Sequence, residues 1–165
     1  MISSTDNILS ILKIVDGIEE TINYNRGILV LKGGFYFGDI YMWNTGTWYY
    51  GSSRNGFADG NGILFENLPD NTYNKYIGEF KDGRFNGRGI LRNYDGEYYR
   101  GEFLDGLRHG SGSTYFSNGD VEYGNYLLGL PDGWFQITYD KPKRGVAGYT
   151  CRFNMGKIEE YGELL

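Results

Sequence analysis

Apolar and polar residues alternate through Tyr76-Ile77-Gly78-Glu79-Phe80. Period two places Tyr76, Gly78 and Phe80 on one side of an extended strand. Asp82-Gly83 follows as a two-residue reversal signal. Gly89-Ile90-Leu91-Arg92-Asn93-Tyr94 supplies a returning strand, and Asp95-Gly96 turns the chain again. The pattern then restarts: Tyr99-Arg100-Gly101-Glu102-Phe103, Asp105-Gly106, Gly110-Ser111-Gly112 and Ser117-Asn118-Gly119. Matched positions lie 23 residues apart, 76 with 99, 78 with 101, 83 with 106 and 89 with 112. A fixed period of this length marks a repeat architecture.

The repeat can be phased along most of the chain. Unit starts fall at about 26, 49, 76, 99 and 122, with a partial unit at 149. The steps are therefore 23, 27, 23, 23 and 27 residues. Each long step carries four extra residues, one set around Leu68-Pro69-Asp70-Asn71 and one around Lys141-Pro142-Lys143-Arg144. Their turn-rich, polar character predicts loop insertions.

Residues 1–25 follow another period. Ile8, Ile11, Leu12, Val15 and Ile18 or Ile22 recur at three and four, a helical stripe that Thr5 or Asp6 would cap. A hairpin through Asp16-Gly17, pairing 13–15 with 18–22, is the competing reading. The expected role is a cap on the open end of a repeat array.

Glycine weakens a strand unless another backbone or a ring must lie close there. Here Gly78, Gly83, Gly87, Gly89, Gly101, Gly106, Gly110 and Gly112 recur beside Tyr and Phe, which predicts rings packed over strand glycines. The predicted fold is all-β: an elongated, single-layer antiparallel sheet of hairpin repeats over 26–165 behind a short N-terminal helix. Two strands per unit give roughly 10 Å of rise, so the array spans on the order of 50 Å.

Composition narrows the function. With 165 residues, 27 Gly, 3 Pro and 18% aromatics, the chain is a single foldable domain rather than a disordered or collagen-like segment. A net charge of −5 disfavours nucleic acid and anionic lipid. Cys151 and His109 are each single of their kind, so neither an internal disulfide nor a familiar metal or catalytic spacing arises. The glycine pairs lack the Gly-Lys-Ser/Thr of a phosphate loop, and the turn aspartates lack calcium-loop spacing. We therefore expect no cofactor, metal or catalysis. No apolar run reaches the length of a membrane span, and no secretory leader is evident, which points to the cytoplasm or an intracellular or virion assembly.

The pattern Tyr-x-Gly-x-Phe-x-x-Gly-x-x-x-Gly-x-Gly at Tyr76–Gly89 and Tyr99–Gly112 resembles the MORN (membrane occupation and recognition nexus) repeat. The unit at Tyr49 keeps the glycines but has Ser53 in place of Phe. The unit at Glu122 lacks the lead Tyr and has Phe135 in place of the last Gly. The resemblance covers roughly 26–160 and implies a twisted sheet of MORN-type hairpins with a shallow groove, used as an interaction scaffold. Gly46-Thr47-Trp48-Tyr49-Tyr50 also resembles the aromatic hairpins of choline-binding repeats.

A single-layer sheet cannot bury both faces, so some rings are expected to remain exposed and receive a partner. The candidate partner-binding residues are Tyr76, Phe80, Tyr94, Tyr99, Phe103, Tyr126 and Trp134. The expected function is a non-catalytic scaffold holding a peptide or helix of a protein partner. The alternatives are a structural component of an assembly, such as a large DNA virus particle or cytoskeletal lattice, and a glycan- or phospholipid-binding module. Lys75, Lys81, Arg84, Arg88, Arg92, Arg100 and Arg108 oppose six acids over 75–108. Their default reading is a solvated charged surface, and a basic edge for an acidic peptide is the functional one.

Overall fold

The computed structural model describes residues 28–31, 34–37 and 40–43 as strand backbone, and residues 47–70 and 72–165 with their side chains. The helix expected in 1–25, and the hairpin that competes with it, lie outside the described residues. Within them the chain forms one antiparallel sheet of thirteen strands in which spatial order equals chain order. The strands are β1 (Ile28–Leu31), β2 (Gly34–Phe37), β3 (Ile40–Trp43), β4 (Trp48–Arg54), β5 (Phe57–Asn67), β6 (Tyr73–Lys81) and β7 (Arg84–Arg92). They continue as β8 (Tyr98–Leu104), β9 (Leu107–Tyr115), β10 (Val121–Leu127), β11 (Leu130–Lys143), β12 (Val146–Asn154) and β13 (Lys157–Leu164). From β4 onward each unit is one hairpin. Residues 28–43 hold three short strands where each later unit holds two.

Tight turns close the hairpins on one edge. Asn55, Asp82, Asp105, Leu128 and Met155 take φ of 52, 48, 50, 49 and 46°, each followed by a glycine at φ 79–88°. Two successive left-handed residues form the turn that matches strand twist. Wider turns close the other edge. Asn93 N donates to Glu97 O at 2.8 Å and Phe116 N to Asp120 O at 3.0 Å. The first four-residue insertion is a loop there, with Leu68 N donating to Thr72 O at 2.8 Å and Asp70 accepting from the Thr72 hydroxyl at 2.6 Å. The second does not loop out. It lengthens β11 to Lys143, shifts register between Thr138 and Lys143, and closes through Arg144-Gly145.

Strand register explains the glycines. Tyr49, Leu64, Tyr76, Leu91, Tyr99 and Thr114 pair across successive strands as one row. Gly51, Gly62, Gly78, Gly89, Gly101 and Gly112 form the next row on the same face. Each tyrosine ring lies back over this row. A Cβ on Gly62 would stand 2.5 Å from Tyr49 Cε2, and one on Gly89 2.5 Å from Tyr76 Cε2. Bulges beside the row leave one carbonyl per hairpin for the phenol. Tyr49 donates to Ser52 O (2.6 Å), Tyr76 to Glu79 O (2.9 Å) and Tyr99 to Glu102 O (3.1 Å).

The degenerate unit at Glu122 keeps this arrangement by exchange. Its lead position holds a carboxylate, which cannot cover Gly124. Phe135, opposite Gly124 and at the usual second-glycine position, lies over it instead, with ring atoms 2.5 Å from where a Cβ would be. The ring comes from the returning strand rather than the outgoing one.

Candidate interaction surfaces

The recurring Phe joins hairpins into a continuous spine. Phe103 meets Tyr99 of its own hairpin edge-on (5.2 Å, 89°) and Tyr76 of the preceding one in the same way (5.2 Å, 89°). Phe80 does so with Tyr76 at 5.0 Å and Tyr49 at 5.1 Å. The series continues through Tyr99–Tyr126, Tyr126–Phe135 and Phe135–Phe153. Edge-on rings at this spacing add about 0.5–1.5 kcal/mol per pair beyond area burial. Phe85 stacks flat on Tyr76 at 3.7 Å, and the Arg108 guanidinium takes the matching place 4.7 Å over Tyr99.

This packing divides the candidate binding residues. Tyr76, Phe80, Tyr99, Phe103 and Tyr126 are at most 5% exposed and constitute the core. Tyr94, in a wide turn, and Trp134, on the opposite face, are 61% and 50% exposed. Glu122 enters the spine half-buried. Burial raises its carboxyl pKa, Glu97 adds to the rise, and Arg108 opposes it. Cys151 is fully buried, and burial pushes its thiol up, away from nucleophile chemistry. Among the described residues no group of three His, Cys, Asp or Glu side chains is placed to hold a metal.

The spine predicts a base limit. Burial, reinforced by Tyr126, pushes the Tyr99 phenol up to about 12 from its ordinary 10.0, and burial raises Tyr76 and Tyr126 as well. Above pH 10 the folded chain retains protons that the unfolded chain releases. This contribution is therefore complete below pH 10 and is lost as pH rises through about 12. Urea midpoints should hold between about pH 8 and 10 and fall by about pH 11.5. A flat midpoint across that range would contradict the burial.

The MORN repeat model matches residues 49–67, 76–98 and 99–121. This chain carries three MORN repeats. The matched segments begin at Tyr49, Tyr76 and Tyr99, the tyrosines that cover the glycine row. No curated protein matches the chain. MORN repeats are in general non-catalytic modules for protein or membrane interaction. Here the rings of the repeat motif are buried in the fold, so exposed apolar surfaces come from other positions.

One such surface follows the tight-turn edge of the MORN hairpins, and the alternation pattern did not reveal it. Neighbouring turns are hydrogen-bonded: Gly106 N donates to Phe85 O, Gly129 N to Arg108 O and Gly156 N to Pro131 O, at 2.8–2.9 Å. Along this joined edge Leu104, Leu107, Leu127, Leu128, Leu130 and Met155 are exposed, from 37% at Leu127 to 56% at Leu128. The sequence signal for it was Leu128-Gly129 and Met155-Gly156, where these turns otherwise favour Asn or Asp before Gly.

Proposed function

We propose that this chain is a non-catalytic scaffold that docks an apolar surface of a partner protein along the turn edge of its last three hairpins. Leu128 and Met155 carry the reading. Both hold left-handed backbone, which costs a non-glycine residue roughly 1 kcal/mol or more. Both are also exposed, so burial within the monomer does not offset that cost. Met155 N–H donates to Asp132 Oδ1 at 3.3 Å, but neither side chain gains burial, and a local rule broken without such a gain is expected at a functional position. The buried rings act here as the rigid support, and Trp134 remains a partner-facing residue.

Leu128→Asn with Met155→Asn tests the reading. Asn tolerates the left-handed region, so each substitution should raise the melting temperature by roughly 2–4 °C, as about 1 kcal/mol does in a chain of this size. Affinity capture from the native source should recover one predominant partner with the parent chain and lose it with the more stable variant. Unchanged capture would sink the proposal. So would edge-dependent flotation with phosphatidylcholine vesicles and no protein captured.

A further inference from the structure

The face opposite the ring spine carries a track across the strands. Its floor is the backbone of the glycine row. One wall is the rank holding Ile63, Ile77, Ile90, Arg100, Ser113 and Tyr123, and the other holds Asn61, Glu79, Arg88, Glu102, Ser111 and Asn125. Three hollows lie along it. The first, about 350 Å³, runs from Tyr50 to Gly78. The middle one, about 560 Å³, runs from Arg88 to Tyr123, and the last, about 440 Å³, from Tyr123 to Glu163. The first two adjoin where Ile77 pairs with Ile90 and Gly78 with Gly89, and the last two share Tyr123. Seven strands separate Gly51 from Gly124 inclusively, a run of roughly 29 Å at the usual strand spacing. That length suits about eight residues of extended chain and exceeds any single head group.

The opposite charges in the middle hollow do not pair with one another. Its nearby acids turn back onto the strand bulges. Glu79 Oε1 accepts from the backbone N–H of Arg88 at 2.9 Å, and the Glu102 carboxylate lies 2.7 Å from where a Cβ on Gly110 would stand. Arg88 and Arg100 are both exposed, and neither makes an ion pair among the described residues. They stand in opposite walls, Arg88 opposite Glu102 and Arg100 opposite Ile90, with Gly89 and Gly101 between them. A carboxylate resting on that floor is within the reach of a guanidinium from each side. Glu79 and Glu102 match the two arginines in number, so the segment is distinguished by the placing of the guanidiniums about its floor and not by its net charge.

We infer that the track holds an extended acidic segment of a partner protein, with carboxylates paired to Arg88 and Arg100, aliphatic side chains against Ile77, Ile90 and Tyr123, and backbone over the glycines. Complementary charge sets partner choice and speeds encounter. The track shares no residue with the leucine edge, so the two sites stand or fall separately.

The test uses the full chain and a fluorescein-labelled acetyl-(Glu-Val)4-amide peptide, with acetyl-(Lys-Val)4-amide as control, followed by anisotropy. The glutamate peptide should bind saturably at low salt and more weakly at about 0.5 M salt. Arg88→Glu with Arg100→Glu should weaken it roughly tenfold or more and should confer binding of the lysine peptide. Both arginines are exposed and make no ion pair among the described residues, so the variant should melt as the parent does. Leu128→Asn should bind the glutamate peptide unchanged, which separates this site from the turn edge. Failure of the glutamate peptide to saturate, equal binding of both peptides by the parent, or indifference to the charge reversal would overturn the inference. Arginine-dependent binding to vesicles containing phosphatidylinositol 4,5-bisphosphate, without peptide binding, would overturn it in favour of a lipid.

Discussion

Gly112→Val should destabilise the sheet by roughly 3 kcal/mol or more, the upper range for overpacking a well-filled site. Intrinsic strand preference predicts the opposite sign, because valine favours strands over glycine within a scale of about 1 kcal/mol. The structure decides between them. A Cβ at Gly112 would overlap the ring and hydroxyl of Tyr99, which is fully buried. Tyr99 cannot retreat without releasing Phe103, Tyr126 and the Arg108 guanidinium, all of which rest against it. Gly96 gives the contrast: its turn leaves nothing within 4 Å of an added Cβ, so Gly96→Asn, which keeps a residue tolerant of φ 87°, should cost far less. Equilibrium unfolding in urea distinguishes the two. A Gly112→Val protein as stable as the parent would mean the rings do not lie on the glycines.

Tyr99→Ala should cost about 4 kcal/mol, the scale for removing a buried ring. The loss has three parts: ring burial, two edge-on ring contacts and the covering of Gly101 and Gly112. Tyr99→Phe keeps all three and removes the hydroxyl bond to Glu102 O at 3.1 Å, so it should cost about 1 kcal/mol. Tyr94→Ala, at a wide turn and 61% exposed, should change stability by no more than about 0.5 kcal/mol. Unfolding free energies that place Tyr99→Ala far below Tyr99→Phe, with Tyr94→Ala near the parent, would support the spine. Comparable losses from the two alanine substitutions would refute it.

Much of the fold was legible because its determinants are local. The 23-residue period, Asp82-Gly83 and Asp105-Gly106, and the alternation of Tyr, Gly and Phe each specify a hairpin through neighbours in sequence. The lateral contacts were not legible. Phe103 on Tyr76 spans 27 residues, and strand alternation says only that the two rings share a face. Tyr94 and Trp134 are exposed as expected, but Tyr76, Phe80, Tyr99, Phe103 and Tyr126 are not, because shared phenylalanines and glycine hollows bury them without a second layer. In the sequence, Glu122 for Tyr and Phe135 for Gly stand as two separate departures from the motif. Only the pairing of Gly124 with Phe135 shows them to be a substitution in kind. The surfaces proposed for partners depend on which side chains the core leaves over, and that becomes countable once the core is known.

Among the described residues every strand pairs only with its neighbours in the chain. The molecule therefore has the logic of a zip fastener rather than a woven cloth. No strand must wait for a distant segment, so assembly can advance hairpin by hairpin as the chain leaves the ribosome. A whole unit gained or lost by gene duplication or deletion would alter the count and leave every other pairing as it was. Lineages can thus tune the reach of such a surface by copying, without inventing a new fold.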